Sequence, residues 1–193
     1  IMATTDNLIL LKNKYTLIYQ DFNFKCCIGK NGLTINKVEG DNKTPKGTFD
    51  LKSLFYRKDR VTKPQTELTC KIIKPKMGWC NDKDDHKNYN KLVNKKKIVK
   101  SEKLFRKDYK YNYIIPIHYN YLERIPGKGS AIFIHLTKDY KPTAGCIALN
   151  EKDLKILLKL INKKTKIKIF LIFFPKIFDP ILTNVEPNST ASI

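Results

Sequence analysis

Cys146 and His135 are the two residues of this chain best suited by type and spacing to chemistry. The cysteine sits in KPTAGCIALN (141–150), directly behind Gly145, and the histidine stands eleven positions upstream in AIFIHL. A thiol attacks as the thiolate, whose ordinary pKa is about 8.5, and a neighbouring imidazole or positive field lowers that value. Nucleophilic catalysis therefore needs the imidazole beside the thiol in space and a third group to orient it. The apolar run around His135 reads as a buried strand, and CIAL begins a second strand-like run. A loop of about ten residues between neighbouring strand ends brings the two side chains together. Gly145 has no Cβ, so backbone N–H groups at Gly145 and Cys146 can turn toward a developing oxyanion. The opposing reading makes Cys146 a small buried hydrophobe and His135 a core histidine satisfied by one hydrogen bond.

The elements that must position this pair follow from patterning. LILLKNKYTLIYQ alternates loosely, and FKCCIGKNG ends in the turn signal Asn31-Gly32. EGDNKTPKGTFDL gathers Gly40, Asp41-Asn42, Pro45 and Gly47 and reads as a loop. The polar stretch from KMGWC to about Lys107 reads as long surface loops. YNYIIPIHYN is a strand candidate, and Pro116 argues for an edge position or a bulge. After Cys146 the period changes. Asn150, Glu151 and Asp153 form a helix start, and Leu154, Leu157, Leu158 and Ile161 form its apolar stripe. KIKIFLIFF then returns as a strand; it is too short to cross a membrane. The chain reads as one β-rich domain over 5–175 with one helix, followed by a loose tail over 176–193.

The formal net charge of +20 admits a polyanion partner, nucleic acid or wall polymer. Only four of the 38 basic residues are arginine: Arg57, Arg60, Arg106 and Arg124. Nucleic-acid sites favour the arginine fork. Abundant Lys, Asn and Ile together indicate AT-rich coding, so no nucleic-acid partner is expected, although an anionic substrate would still be attracted. Five cysteines, with no CxxC spacing, leave at least one thiol unpaired within the chain. Cys80, His86, His118, His135 and Cys146 match no zinc-ligand spacing, so no metal is expected. The N-terminus shows no signal-peptide pattern.

IFIHL followed by TAGCIAL resembles the active-site signature of the L,D-transpeptidases, the cysteine enzymes of bacterial peptidoglycan. His135, Thr143, Gly145 and Cys146 match that signature. NKTPKGTFDL resembles the family's early turn, at Thr44, Pro45, Gly47 and Phe49. MGWCNDKDD, YNKLV and IPGKGSAIFIHL resemble a bacterial subgroup, and DLKILLKLINKKTKIKIF resembles the family's helix and last strand. The similarity covers residues 5–173. Ala144 departs from the pattern, since the family commonly has a histidine there, and the loop between His135 and Cys146 is short.

The resemblance implies a mainly β (α+β) fold, a sandwich or barrel with one or two packed helices. It implies a cysteine acyltransferase acting on peptidoglycan stem peptides, by transpeptidation or carboxypeptidation, and a carbapenem target. Cys146 would be the nucleophile and His135 the base. The Leu136 carbonyl would orient the imidazole, and N–H groups at Gly145 and Cys146 would hold the oxyanion. His118, Thr143 and Ala144 would meet substrate, and Lys128 and Lys141 flank the motifs. No cofactor, no membrane-spanning segment and a cell-envelope or periplasmic location are the matching expectations. A basic binding module with a structural Cys146, or an inactive member that has lost the Ala144 histidine, are the alternatives.

Overall fold

The computed structural model describes residues 7–94 and 100–170. The first strands are β1 (Leu8–Asn13), β2 (Thr16–Tyr19), β3 (Phe22–Cys27), β4 (Leu33–Thr34) and β5 (Thr44–Pro45). Then come β6 (Gly47–Asp50), β7 (Ser53–Tyr56), β8 (Thr69–Ile72), β9 (Met77–Cys80), β10 (Leu92–Asn94) and β11 (Ser101–Lys103). The last are β12 (Tyr113–Pro116), β13 (Phe133–Leu136), β14 (Ile147–Leu149) and β15 (Lys166–Ile169), with α1 (Glu151–Leu160) between the final two. Ten strands form one sheet, in the order β6-β15-β1-β2-β3-β14-β13-β12-β7-β8.

The sheet curls around a core of apolar side chains, and α1 closes it with Leu154, Leu157 and Leu158. This is the expected mainly β architecture, with one helix among the described residues. The helix starts where the side-chain chemistry requires. Asn150 Oδ1 accepts from the Asp153 N–H at 2.8 Å, which satisfies one of the otherwise unpaired first-turn donors. Glu151 and Asp153 add negative charge at the positive end of the helix dipole.

β13 and β14 are buried at every position. Sheet strands covered on both faces read as unbroken apolar runs, which is why AIFIHL shows no alternation. Ile134, Leu136, Ile147 and Leu149 face the large core. Phe133 faces a second, smaller cluster with Trp79, Tyr111, Leu104 and Ile114.

Two expectations are corrected. The polar middle is more than surface loops, because β9 pairs with both β10 and β11 in a three-stranded sheet over the second cluster. Burial there falls on few positions, such as Trp79 and Val93, so the stretch looks polar in sequence. β12 is also internal, lying between β13 and β7. Its pairing with β7 ends at Ile114, so Pro116 meets only β13 and its missing N–H disrupts no ladder. The expected tail (176–193) and residues 171–174 of the expected final strand lie outside the described residues.

The packing makes a graded forecast. Leu157→Ala empties a fully buried site and should cost about 3 kcal/mol, whereas Asn150→Ala removes a cap and should cost about 1 kcal/mol. Urea denaturation of both variants checks the order and the size.

Candidate active site

β13 and β14 run parallel, with Ile134 opposite Ile147 and His135 opposite Ala148. Side chains alternate between faces along each strand. The register therefore puts Phe133, His135, Cys146 and Ala148 on one face, with His135 and Cys146 diagonal neighbours. The two sequence motifs meet because they are adjacent strands, joined by the loop 137–146. That loop is held from below. The Thr143 N–H donates to the Ile28 carbonyl at 2.9 Å, and the Thr143 carbonyl accepts from the Lys30 N–H at 2.8 Å.

The turn before the thiol is stitched by two threonines. Thr143 Oγ1 accepts from the Gly145 N–H at 3.0 Å and donates to the Cys146 carbonyl at 2.6 Å. Thr44 Oγ1, fully buried, accepts from the Gly29 N–H at 2.9 Å and donates to the Gly145 carbonyl at 2.8 Å. Gly145 itself has φ +136°, and a Cβ there would stand 2.8 Å from the Lys43 carbonyl oxygen. No other residue fits without moving the backbone. The Gly145 N–H, expected as an oxyanion donor, is engaged by Thr143 in this conformation.

His135 is oriented by the next residue. Its Nδ1 lies 2.9 Å from the Leu136 carbonyl oxygen. A carbonyl only accepts, so Nδ1 carries the proton and Nε2 carries the lone pair. The Tyr111 ring packs edge-on against the imidazole, at 5.4 Å between centroids, and the Tyr111 hydroxyl donates to Glu102. Cys146 Sγ accepts from the Phe133 N–H at 3.3 Å and donates to the Ala131 carbonyl at 3.4 Å.

Burial dominates the electrostatics of both groups. It pushes His135 down to about 4, against the opposing Leu136 hydrogen bond and with help from nearby Lys110 and Arg106. It pushes the Cys146 thiol up to about 12, although the Phe133 N–H and Lys37 pull the other way. The sequence-based expectation of a thiolate therefore changes. The resting pair is a neutral thiol beside a neutral imidazole, because removing water penalises both charged forms.

Both groups open onto a cleft of about 420 Å³. Thr143 and Ala144 line it, as do the cations Lys37, Arg106, Lys110 and Lys141 and the carboxylates Glu39, Glu102 and Asp139. The structure does not bring His118 here. Its ring stacks on Tyr121 at 3.8 Å, in a separate 80 Å³ pocket with Trp79 and Arg124. Trp79 and Tyr89 are buried packing residues, and Cys80 is a buried thiol. Tyr111 and Glu102 escaped the sequence reading, because no spacing ties them to either motif. Among the described residues, no three His, Cys, Asp or Glu side chains converge as a metal site.

Comparison with known proteins fits this arrangement to a family. The family profile of the L,D-transpeptidase catalytic domain (YkuD) matches residues 4–169. The chain belongs to the L,D-transpeptidase family. No curated protein matches the sequence. Among solved structures, the helical cell shape determining protein Pgp2 from Campylobacter jejuni is 21% identical, with TM-score 0.49, covering 85% of this chain and 47% of that one. Bdellovibrio bacteriovorus Bd1075 is 16% identical, with TM-score 0.44, covering 84% of this chain and 47% of that one. Mycobacterium tuberculosis L,D-transpeptidase 1 is 9% identical, with TM-score 0.36, covering 84% and 59%. The chain thus spans about half the length of the first two. L,D-transpeptidases act on peptidoglycan and are typically cell-envelope proteins. No described helix of this member is long and apolar enough to cross a membrane.

Two measurements test the site as built. Thr44→Val leaves the buried Gly29 N–H and Gly145 carbonyl without partners and should cost about 2 kcal/mol in urea denaturation. His135 titrates near 4 folded and near 6.5 unfolded, so between those values the unfolded chain binds the extra proton. Stability conferred by the neutral imidazole is therefore fully present above about pH 6.5 and is lost as pH falls toward 4, by ~3 kcal/mol in all. His135→Asn should flatten this part of the stability-against-pH curve relative to the wild type.

Proposed function

We propose that this L,D-transpeptidase family member is a cysteine acyltransferase that opens the L,D bond of a peptidoglycan stem peptide through a thioester on Cys146. The observation that carries the reading is the His135 tautomer. The Leu136 carbonyl accepts a hydrogen bond from Nδ1–H, which leaves the lone pair at Nε2 of a residue that lines the cleft with Cys146. As Sγ attacks the carbonyl carbon of the diamino acid, His135 Nε2 takes the thiol proton. The carbonyl π electrons move onto oxygen, where backbone N–H groups at Cys146 and Gly145 stabilise the charge once Gly145 exchanges its Thr143 partner. The tetrahedral intermediate collapses and the C–N bond breaks. The imidazolium returns its proton to the departing D-alanine amine, leaving the thioester. An acceptor amine then attacks and gives a cross-link, or water attacks and gives a trimmed stem. In either case the acceptor's proton passes to His135, the C–S bond breaks, and the imidazolium returns that proton to the departing Cys146 thiolate, which restores the neutral pair.

The neutral resting pair shapes this chemistry. Proton transfer and attack coincide, because a free thiolate is scarce at neutral pH with the thiol held near 12. Thr143 and Ala144 border the reacting centre, and Ala144 is the departure from the family signature. The smaller side chain widens the mouth where the acceptor arrives, and this favours water or a bulky amine. His118 is left as a candidate contact only for a more distant part of the substrate.

Exposure to a carbapenem, followed by intact-mass analysis and peptide mapping, tests the assignment. The expected result is one adduct, on Cys146, with none on Cys146→Ser. The acylation rate should hold from about pH 8 down to about pH 5 and fall below that, as His135 gains a proton. His135→Ala should slow acylation by about 10²-fold. An adduct first on Cys70 or Cys80, with Cys146→Ser still processing wall peptide, would remove Cys146 from the role. No adduct and no turnover would favour the inactive-member reading that Ala144 motivates.

A further inference from the structure

The thiol's hydrogen-bond partners lie on a strap, residues 129–133, with unusual backbone angles. Gly129 has φ +96° and Ala131 has φ +53°. An alanine in the left-handed region is uncommon and persists only where its surroundings hold it. Those surroundings come largely from one dipeptide, Tyr89-Asn90. The Tyr89 hydroxyl accepts from the Gly129 N–H at 3.1 Å, and Asn90 Oδ1 accepts from the Ala131 N–H at 3.2 Å.

Asn90 is 3% exposed and uses both ends of its amide. Oδ1 also accepts from Trp79 Nε1 at 2.8 Å, and Nδ2 donates to the carbonyls of Tyr119 and Asn120 at 3.1 and 2.7 Å. The amide is thus locked from three sides before it meets Ala131. On the far side of the same residue, the Ala131 carbonyl accepts the Cys146 thiol proton. One residue links the locked amide to the nucleophile.

We propose that Asn90 is a positioning residue for the nucleophile: through the Ala131 N–H it fixes the Ala131 carbonyl, which holds the Cys146 thiol in its resting rotamer and keeps its proton. Glu102, Lys37 and Tyr111 also act electrostatically on this thiol, but none of them reaches it through the strap. The inference rests on Cys146 being the nucleophile for its catalytic meaning, and on geometry alone for its effect on the thiol.

Asn90→Gly is the informative variant, because glycine keeps the φ of +54° that Asn90 adopts while deleting the amide. Two readouts are needed. The first is the pH dependence of iodoacetamide labelling at Cys146, followed by peptide mapping with Cys26 and Cys27, buried and away from Asn90, as references. Releasing the Ala131 carbonyl from its place as acceptor of the S–H should displace the Cys146 curve to lower pH by about half a unit, roughly threefold in rate at fixed pH, with the reference cysteines unchanged. The second is carbapenem acylation as a function of concentration. The maximal rate should fall by roughly tenfold or more, with the half-saturating concentration nearly unchanged, since the thiol rather than the cleft is disturbed. An unshifted Cys146 curve, or labelling that rises equally at all three cysteines, would show that Asn90 is structural only. If Asn90→Gly does not fold, amide hydrogen exchange in the wild type decides. Slow exchange at Ala131 is required, and exchange at open-loop rates overturns the inference. A displaced labelling curve in a protein that no carbapenem acylates would retain the positioning role and reject the acyl-transfer reading.

Discussion

The parallel register of β13 and β14 is the constraint on which the rest depends. His135 lies opposite Ala148, and Cys146 comes two residues earlier on the same face. A slip of one residue would turn Cys146 into the apolar core and bring Ile147 to the cleft, because strand side chains alternate with period two. The large core resists that slip. Ile134, Leu136, Ile147 and Leu149 interlock there with the helix residues Leu154, Leu157 and Leu158. The site's geometry is thus set from behind, by hydrophobic packing on the opposite face of the two strands that carry it.

The same burial that fixes the register sets the charge states. A histidine flanked by Tyr111 and by strands on both sides has little water to stabilise its cation, so it stays neutral, with its lone pair at Nε2. The thiol, half-buried on the cleft wall, is held protonated for the same reason. Two neutral partners in a low-dielectric site give a modest resting interaction and a larger one as charge develops. Thr44 and Thr143 supply polar satisfaction where burial would otherwise leave backbone groups unpaired. The early turn and the cysteine motif, a hundred residues apart in sequence, are joined by a single hydroxyl between Gly29 and Gly145.

What the sequence revealed follows the range of the interactions involved. The start and apolar face of α1 were legible, because a cap, acidic first-turn residues and a stripe all act within a few positions; its end was not, since Ile161, read as part of the stripe, is already the extended C-cap. The His135 and Cys146 strands were legible as apolar runs, and the oriented imidazole could be anticipated because its partner is the next residue. The small sheet of β9, β10 and β11 was not legible, since few of its positions are buried and its pairings span polar turns. Pro116 misled because proline excludes a residue from a two-sided ladder, whereas this proline sits where the ladder has become one-sided. His118 was expected to meet substrate beside His135, since each ends an apolar run. It falls beyond β12, stacked on Tyr121, and faces another pocket. Asn90, Glu102 and Tyr111 act through tertiary contacts alone, which a single sequence does not expose.

Charge acts on a different length scale from this geometry. The chain carries 38 basic and 18 acidic residues, so its far field is strongly positive. The cleft is balanced by comparison, with Lys37, Arg106, Lys110 and Lys141 interleaved with Glu39, Glu102 and Asp139. Several of these charges are already committed: Lys37 pairs with Asp41, Arg106 with Asp108, and Glu39 accepts from Tyr89 and Ser130. Beyond a Debye length of about 8 Å at physiological salt, the positive field is screened, and it raises encounter with anionic polymers without selecting among them. Selection must then come from the cleft, where charges of both signs stand within one small volume. Such a surface complements a ligand that carries both carboxylates and ammonium groups better than a uniformly anionic one, because charges of either sign in the cleft then meet an opposite partner. The global charge and the local site therefore act separately, the one as a screened far field without selectivity and the other as a short-range pattern of both signs.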